Sequence, residues 1–225
     1  MHHLQQGPRQ IVVISYIAMT KGYTQLLPGA IRAEDGHQPD AAPRSKVIGT
    51  VHRILRNGTR NHHARIDRML LSLDLAQPQD YELFLSIHAE SLQALDGAWR
   101  GEDGNDFQAM LRSLSNDLAT LGSATTPKSI AVCTPASLGA GLGVAYVIRG
   151  SRLGAAMLRR RVPAGMPTSY LDFAPTLSWR DFLGELEILA GDPAATQAAI
   201  LAARSTFAVF VCVSNQRQGF SAASM

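Results

Sequence analysis

Two adjacent histidines lie in the stretch ILRNGTRNHHARID, residues 54–67. If this stretch is a helix, Arg56, Thr59 and His63 share one face, because residues three and four apart lie over one another. An imidazole on such a face is a candidate metal ligand or acid–base group, or else a half-buried histidine satisfied by a backbone carbonyl. His62 points about 100° away from His63, so the two cannot chelate one ion together.

A second stretch, LGAGLGVAYVIRGSRLGAA, combines helical apolar spacing with five glycines. Glycine weakens a helix interior relative to alanine, so these positions need a physical reason. A dinucleotide-binding loop is one interpretation, although its pattern requires glycine where Val144 stands. The alternative is a bare backbone face at Gly150 and Gly154, one turn apart. Such a face can approach a flat ligand or pack closely against another helix.

Helical periodicity dominates the chain from Thr50 onward, and no alternating strand pattern accompanies it. We therefore predict an all-α fold, with Thr50 as the first N-cap and Pro78 ending the first helix. His88 falls on the apolar stripe of the second helix and is predicted to be a core histidine. The predicted helices carry an apolar residue every three or four positions, and they cover residues 50–77, 81–99, 107–121, 135–162, a short segment from 179, and 193–215.

The two ends of the chain are predicted to lie outside this single helical domain of residues 50–215. Residues 1–49 are rich in glycine and proline and are predicted to be a poorly ordered extension. Residues 216–225 are predicted to be a tail.

Composition narrows the class of protein. Apolar residues make up 46% of the chain and charged residues 17%, which is typical of a soluble globular protein. The net charge of +3 is carried by scattered arginines without an aromatic platform, which argues against a nucleic-acid partner. Two cysteines are too few for a disulfide framework. The early apolar run Ile11–Met19 is too short to span a membrane, so a cytoplasmic location without membrane contact is expected.

Both stretches resemble motifs of the heme oxygenase family, especially the bacterial branch found beside bacteriophytochromes. LRNGTRNHHARID resembles the family's proximal-helix motif at Leu55, Arg56, Thr59, His63, Ile66 and Asp67. LGVAYVIRGSRLGAAML is similar to the distal-helix motif at Tyr146, Val147, Ile148, Gly150, Ser151, Leu153 and Gly154. The resemblance covers roughly residues 50–215, and the two motifs occur in the family's order.

The resemblance implies that heme is held between a proximal and a distal helix and is both cofactor and substrate. Its cleavage with O2 and electrons from an external reductant would give biliverdin, carbon monoxide and ferrous iron. His63 is implied as the axial metal ligand, and Arg56 as a partner of a heme propionate. Further implied positions are Thr59 and Tyr146 for cofactor binding, and Gly150, Ser151 and Gly154 on the catalytic, distal side.

The resemblance also implies partners. These are an electron donor such as a ferredoxin or a reductase and, for this branch, a bacteriophytochrome that accepts biliverdin. Arg159–Arg161 are a candidate docking site for an acidic donor, or else a solvated helix end that complements the helix dipole.

Three residues depart from the family pattern. Arg149 stands where an acidic residue is common and is expected to alter surface charge, Ala155 replaces a frequent glycine, and Gly58 replaces a common alanine. These departures keep two alternatives open: a heme-binding or sensor protein without turnover, and a helical protein that binds no heme.

Overall fold

The computed structural model describes residues 49–98, 104–123 and 137–222. Within these ranges the chain forms seven α-helices and no strand, so the predicted all-α class is confirmed. Two short 3-10 helices are also present, Asp96–Ala98 and Glu187–Leu189. The α-helices are α1 (Thr50–Leu71), α2 (Pro78–Leu95), α3 (Gly104–Thr120), α4 (Leu138–Arg159), α5 (Ser169–Asp172), α6 (Trp179–Leu186) and α7 (Pro193–Ala222). Most of the predicted N-terminal extension, residues 1–48, lies outside the described ranges.

Several helix ends differ from the prediction for local reasons. Pro78 begins α2 instead of ending α1, because proline is tolerated in the first helical turn, where its missing N–H leaves no bond unmade. Helix α4 begins at Leu138, because the Ser137 hydroxyl caps it by accepting a hydrogen bond from the backbone N–H of Ala140. The end of α3, in contrast, agrees with the prediction, because Gly122 adopts a φ of 77°, a left-handed conformation that ends the helix.

The start of α1 also differs from the prediction, since Gly49 and not Thr50 is its N-cap. No side chain at the cap itself bonds the first turn. Instead, Oε1 of Glu187 accepts hydrogen bonds from the backbone N–H groups of Val51 at 3.0 Å and His52 at 3.3 Å. A Cβ at position 49 would overlap this carboxylate, so glycine is the residue that lets Glu187 reach the helix.

Helix α7 is the central element, and it packs against α1, α2 and α4. A Cβ on Gly139 of α4 would overlap the carbonyl oxygen of Ala195, and one on Gly143 would overlap that of Ala199. These two glycines therefore serve close packing of α4 on α7, the kind of contact that the sequence left as one of two alternatives for Gly150 and Gly154. The remaining alternative, a dinucleotide loop, is wrong because both glycines lie inside a continuous helix.

The C-terminal end of α7 continues through residues 216–222, where the sequence predicted a tail. Arg217 contacts the carboxylate of Glu90, a residue of α2 that is 3% exposed. This ion pair ties the last turns of α7 to the bundle. By length and composition α7 could cross a membrane, but more than half of its most apolar window is buried inside the bundle, as in the core helix of a soluble protein.

Candidate functional site

His63 is held in one orientation on the buried face of α1. It is 8% exposed, and its Nδ1 lies 3.0 Å from Oδ2 of Asp67, one turn further on. Both atoms are enclosed and neither has a hydrogen-bond partner of normal geometry, so the contact between them is an approach within ion-pair distance. Phe207 of α7 meets the imidazole ring edge to face at 5.4 Å. No described residue bonds the other ring nitrogen, Nε2, which leaves it available to a ligand. The neighbouring His62 is partly exposed.

Helix α1 runs parallel to α7. A Cβ on Gly58 would lie 3.1 Å from the Ile200 side chain, and Arg204 donates from Nε to the Gly58 carbonyl at 2.8 Å. Five residues later on α1, His63 meets Phe207, which is also further along α7. Position 58, where the family commonly has alanine, is thus explained by its tight approach to Ile200.

Helix α4 is also parallel to α7, since Gly143 follows Gly139 as Ala199 follows Ala195. Seven residues, or about two turns, after the match of Gly143 with Ala199, Gly150 matches Thr206. Thr206 precedes Phe207, whose ring contacts His63. Helices α1 and α4 make few contacts with each other, although both pack on α7. The buried backbone at Gly150 and the His63 ring therefore lie at about the same level along α7, on two helices that both pack against it.

A polar recess, which we define as His52, Arg56, Thr59 and Tyr146, lies between α1 and α4. Thr59 and Tyr146 are about one turn before His63 and Gly150, and Arg56 and His52 are about two and three turns before His63. Tyr146 is 1% exposed, and its hydroxyl forms no hydrogen bond of normal geometry. Burial raises the pKa of this hydroxyl, and Arg56 and the Thr59 hydroxyl oppose the rise. Thr59 donates its own proton to the Leu55 carbonyl at 2.8 Å.

His52 is a member of the recess that sequence reasoning missed. It is 4% exposed, and both of its ring nitrogens are enclosed without a hydrogen-bond partner. The rings of Tyr146 and Trp179 lie 6.0 and 5.9 Å from its own. Burial and then Arg56 lower the pKa of His52, and Glu187 opposes them. The available signal was its spacing, which puts it on the α1 face that carries Arg56 and His63.

The distal-helix residues named from sequence lie in one stretch of α4. Gly150 and Gly154 are buried, and the Ser151 hydroxyl donates to the Ile148 carbonyl at 2.7 Å. This bond occupies the only proton of Ser151, so its oxygen can serve a further group as an acceptor alone. Ala155, the departure from the family glycine, is 5% exposed and belongs to the core.

Arg149 does not alter surface charge, and this part of the sequence prediction is wrong. The residue is 7% exposed, donates from Nη1 to the Leu177 carbonyl at 3.2 Å, and lies over the Phe182 ring at 5.4 Å. Burial lowers its pKa, and Glu185 opposes this effect. Arg149 therefore holds the segment before α6 against α4, a role that an acidic side chain could not take.

Within residues 49–98, 104–123 and 137–222, no group of three or more histidine, cysteine, aspartate or glutamate side chains is arranged to hold a bare metal ion. A metal at His63 would therefore need ligands of its own. A metalloporphyrin satisfies this requirement, because its ring supplies four nitrogens and the protein only an axial bond.

No protein-family model and no curated protein matches the sequence. Among solved structures, the chain is similar to the heme oxygenase from Neisseria meningitidis, determined in its NO-bound and CO-bound forms. The two share 22% sequence identity and a TM-score of 0.56, and the match covers 76% of this chain and 92% of the other. The chain therefore has the all-α heme oxygenase fold.

Proposed function

We propose that the protein is a heme oxygenase that cleaves heme to biliverdin, carbon monoxide and ferrous iron with O2 and an external electron donor. The observation that carries the proposal is the environment of His63. Its Nδ1 faces a carboxylate, Nε2 has no partner among the described residues, and the buried backbone of Gly150 lies at the same level on α4.

The surroundings of His63 fit an axial ligand to heme iron. Ligating histidines usually direct their second ring nitrogen to a carboxylate or carbonyl, which fixes the tautomer and makes the ligating nitrogen more basic. Asp67 is in position to do this at 3.0 Å. His62 has no carboxylate within ion-pair distance among the described residues, so we assign the axial role to His63 alone.

The polar recess fits the acidic edge of the same ligand. Arg56 supplies a positive charge, and the enclosed Tyr146 hydroxyl, beside Thr59, forms no hydrogen bond of normal geometry. A heme propionate would supply the carboxylate that this hydroxyl lacks. Thr59, 2% exposed, shapes the recess wall.

On the opposite side, Gly150 and Gly154 would leave room beside the ring for O2 and ordered water, with Ser151 as a hydrogen-bond acceptor. Heme itself, when bound, supplies the redox chemistry of ring opening. The chain's own residues would bind the heme and orient it, and the two glycines would keep side chains away from its distal face.

The partners we propose are an acidic electron donor, such as a ferredoxin or a reductase, and a bacteriophytochrome as biliverdin acceptor. The charge run Arg159–Arg161 is only partly available for docking. Arg159 pairs with Asp172 at 3.3 Å, and Arg161 donates to the Leu73 carbonyl at 2.6 Å. Arg160 is exposed and is the residue best suited to contact the donor.

A second candidate function is heme binding without turnover, as in a sensor. The observation in its favour is Ala155, whose buried side chain follows Gly154 on the proposed distal helix. This methyl group packs in the core, so it would act on O2 access by shifting the distal helix and not by entering the space itself.

Hemin titration followed by turnover tests both candidates. We expect a Soret band in the wild type and in His62→Ala, and a weakened, shifted band in His63→Ala. Supplying a reductant in air should replace the band by the broad red absorption of biliverdin. A stable Soret band after reduction in air would favour the sensor, and no band at all would refute both functions.

A further inference from the structure

His52 is the most thoroughly enclosed polar side chain near the candidate site that has no assigned task. Its backbone N–H is satisfied by Glu187, but Nδ1 and Nε2 are both shut off from solvent and lack partners. A neutral imidazole carries one donor and one acceptor, and burying them unpaired is unfavourable. Purely structural histidines avoid this, as His88 does by bonding the Phe84 carbonyl from Nδ1 at 2.8 Å.

The position of His52 indicates what it could bind. It lies one turn before Arg56 on the same face of α1, and its ring is 6.0 Å from that of Tyr146. The enclosed Tyr146 hydroxyl, whose contact with Thr59 lacks normal hydrogen-bond geometry, is thus in the same recess. An unpartnered imidazole and this hydroxyl beside a guanidinium match a carboxylate, which accepts several hydrogen bonds at once.

We propose that His52 is a carboxylate-binding residue that donates a hydrogen bond to a propionate of heme. The inference rests on the proposed function, because heme is the ligand that would bring the carboxylate. It adds a residue outside the matched motif positions. It also predicts that the recess discriminates between porphyrins with free and with blocked acid groups.

The charges around His52 favour this role only when an anion is present. The charged or titratable groups that face it are Arg56 on its own helix, Glu187 before α7 and Tyr146 on α4. Burial and Arg56 lower the pKa of the His52 ring, and Glu187 opposes them. A neutral imidazole still carries one N–H that it can donate to a carboxylate, so the bond needs no prior protonation.

The alternative is that His52 only fills space between the rings of Tyr146 and Trp179. His52→Leu separates the two roles, because leucine suits an enclosed aromatic environment and removes only the polar atoms. The variant should fold at least as stably as the wild type, which thermal unfolding would verify. His52→Gln, which keeps an N–H donor, is the rescue variant.

The probes are hemin and heme dimethyl ester, whose propionates are esterified, each titrated against the three proteins. We expect His52→Leu to raise the Kd for hemin at least about tenfold and to change the Kd for the ester less than twofold. His52→Gln should recover part of the hemin affinity. Equal changes for both probes, or none for either, would overturn the role of His52 while leaving the heme proposal intact. Failure of the wild type to bind hemin would overturn the heme proposal itself.

Discussion

Nδ1 of His63 and Oδ2 of Asp67 lie 3.0 Å apart across one turn of α1, and both atoms are enclosed. The four-residue spacing places them on one face, and helix geometry brings the carboxylate beside the ring without a loop. A group fixed in this way can keep one tautomer and one ring orientation.

This pair gives the first prediction. In Asp67→Asn the amide can no longer act as a full negative partner, so the His63 ring should be a weaker axial ligand. We expect hemin affinity to fall about 10- to 100-fold with a shifted Soret band, measured by absorbance titration. Glu185→Gln, which neutralises an exposed carboxylate on α6, is the matched control and should bind hemin as the wild type does. Equal affinity in Asp67→Asn would remove the carboxylate from the site.

The second prediction concerns the glycine contacts between α4 and α7. A Cβ at Gly143 would overlap the backbone carbonyl of Ala199, which cannot move aside as a side chain can. Gly143→Ala should therefore lower the free energy of unfolding by about 1–3 kcal/mol, the usual cost of overpacking. Denaturant unfolding provides the measurement.

Gly184→Ala is the matched control for that variant. Gly184 lies in helix α6, is exposed, and has nothing within 4 Å of an added Cβ. The same substitution there should raise stability by about 0.5–1 kcal/mol, because alanine is the better helix former. If both variants changed stability in the same direction, close packing would not be the reason for glycine at position 143.

The sequence predicted the helical class and the placement of His63 and Asp67 on one face, because helical periodicity and four-residue spacing are local properties. It did not show that Arg149 is buried, since that depends on the Leu177 carbonyl, 28 positions further along the chain. His52 was missed for a similar reason. Its enclosure comes from Tyr146 and Trp179 on two other helices.

The third prediction separates docking from folding at the end of α4. Arg160 is exposed, so Arg160→Glu should leave stability unchanged and raise the KM for an acidic ferredoxin-type donor several-fold at low salt. Arg161→Ala should instead lower stability by about 1 kcal/mol, because it removes the bond to the Leu73 carbonyl. Turnover at several donor and salt concentrations checks the first effect and urea unfolding the second. An unchanged KM in Arg160→Glu would move the donor site elsewhere.

The last prediction concerns acid sensitivity. His88 is 6% exposed and packs against Phe84, Tyr170 and Phe210, and burial lowers its pKa from 6.5 to about 4. The unfolded chain takes up this proton more readily than the folded chain. The titration of His88 therefore leaves the free energy of unfolding unchanged above pH 6.5 and lowers it as the pH falls from 6.5 towards 4.

This one group should remove about 2–3 kcal/mol of stability between pH 7.5 and 4.5. Urea unfolding across that range measures the loss. His88→Leu lacks the titrating group, so its stability should depend on pH less steeply by that amount, even if the lost bond to the Phe84 carbonyl lowers its stability at neutral pH. If His88→Leu retained the wild-type pH dependence, other groups would be responsible for the acid sensitivity.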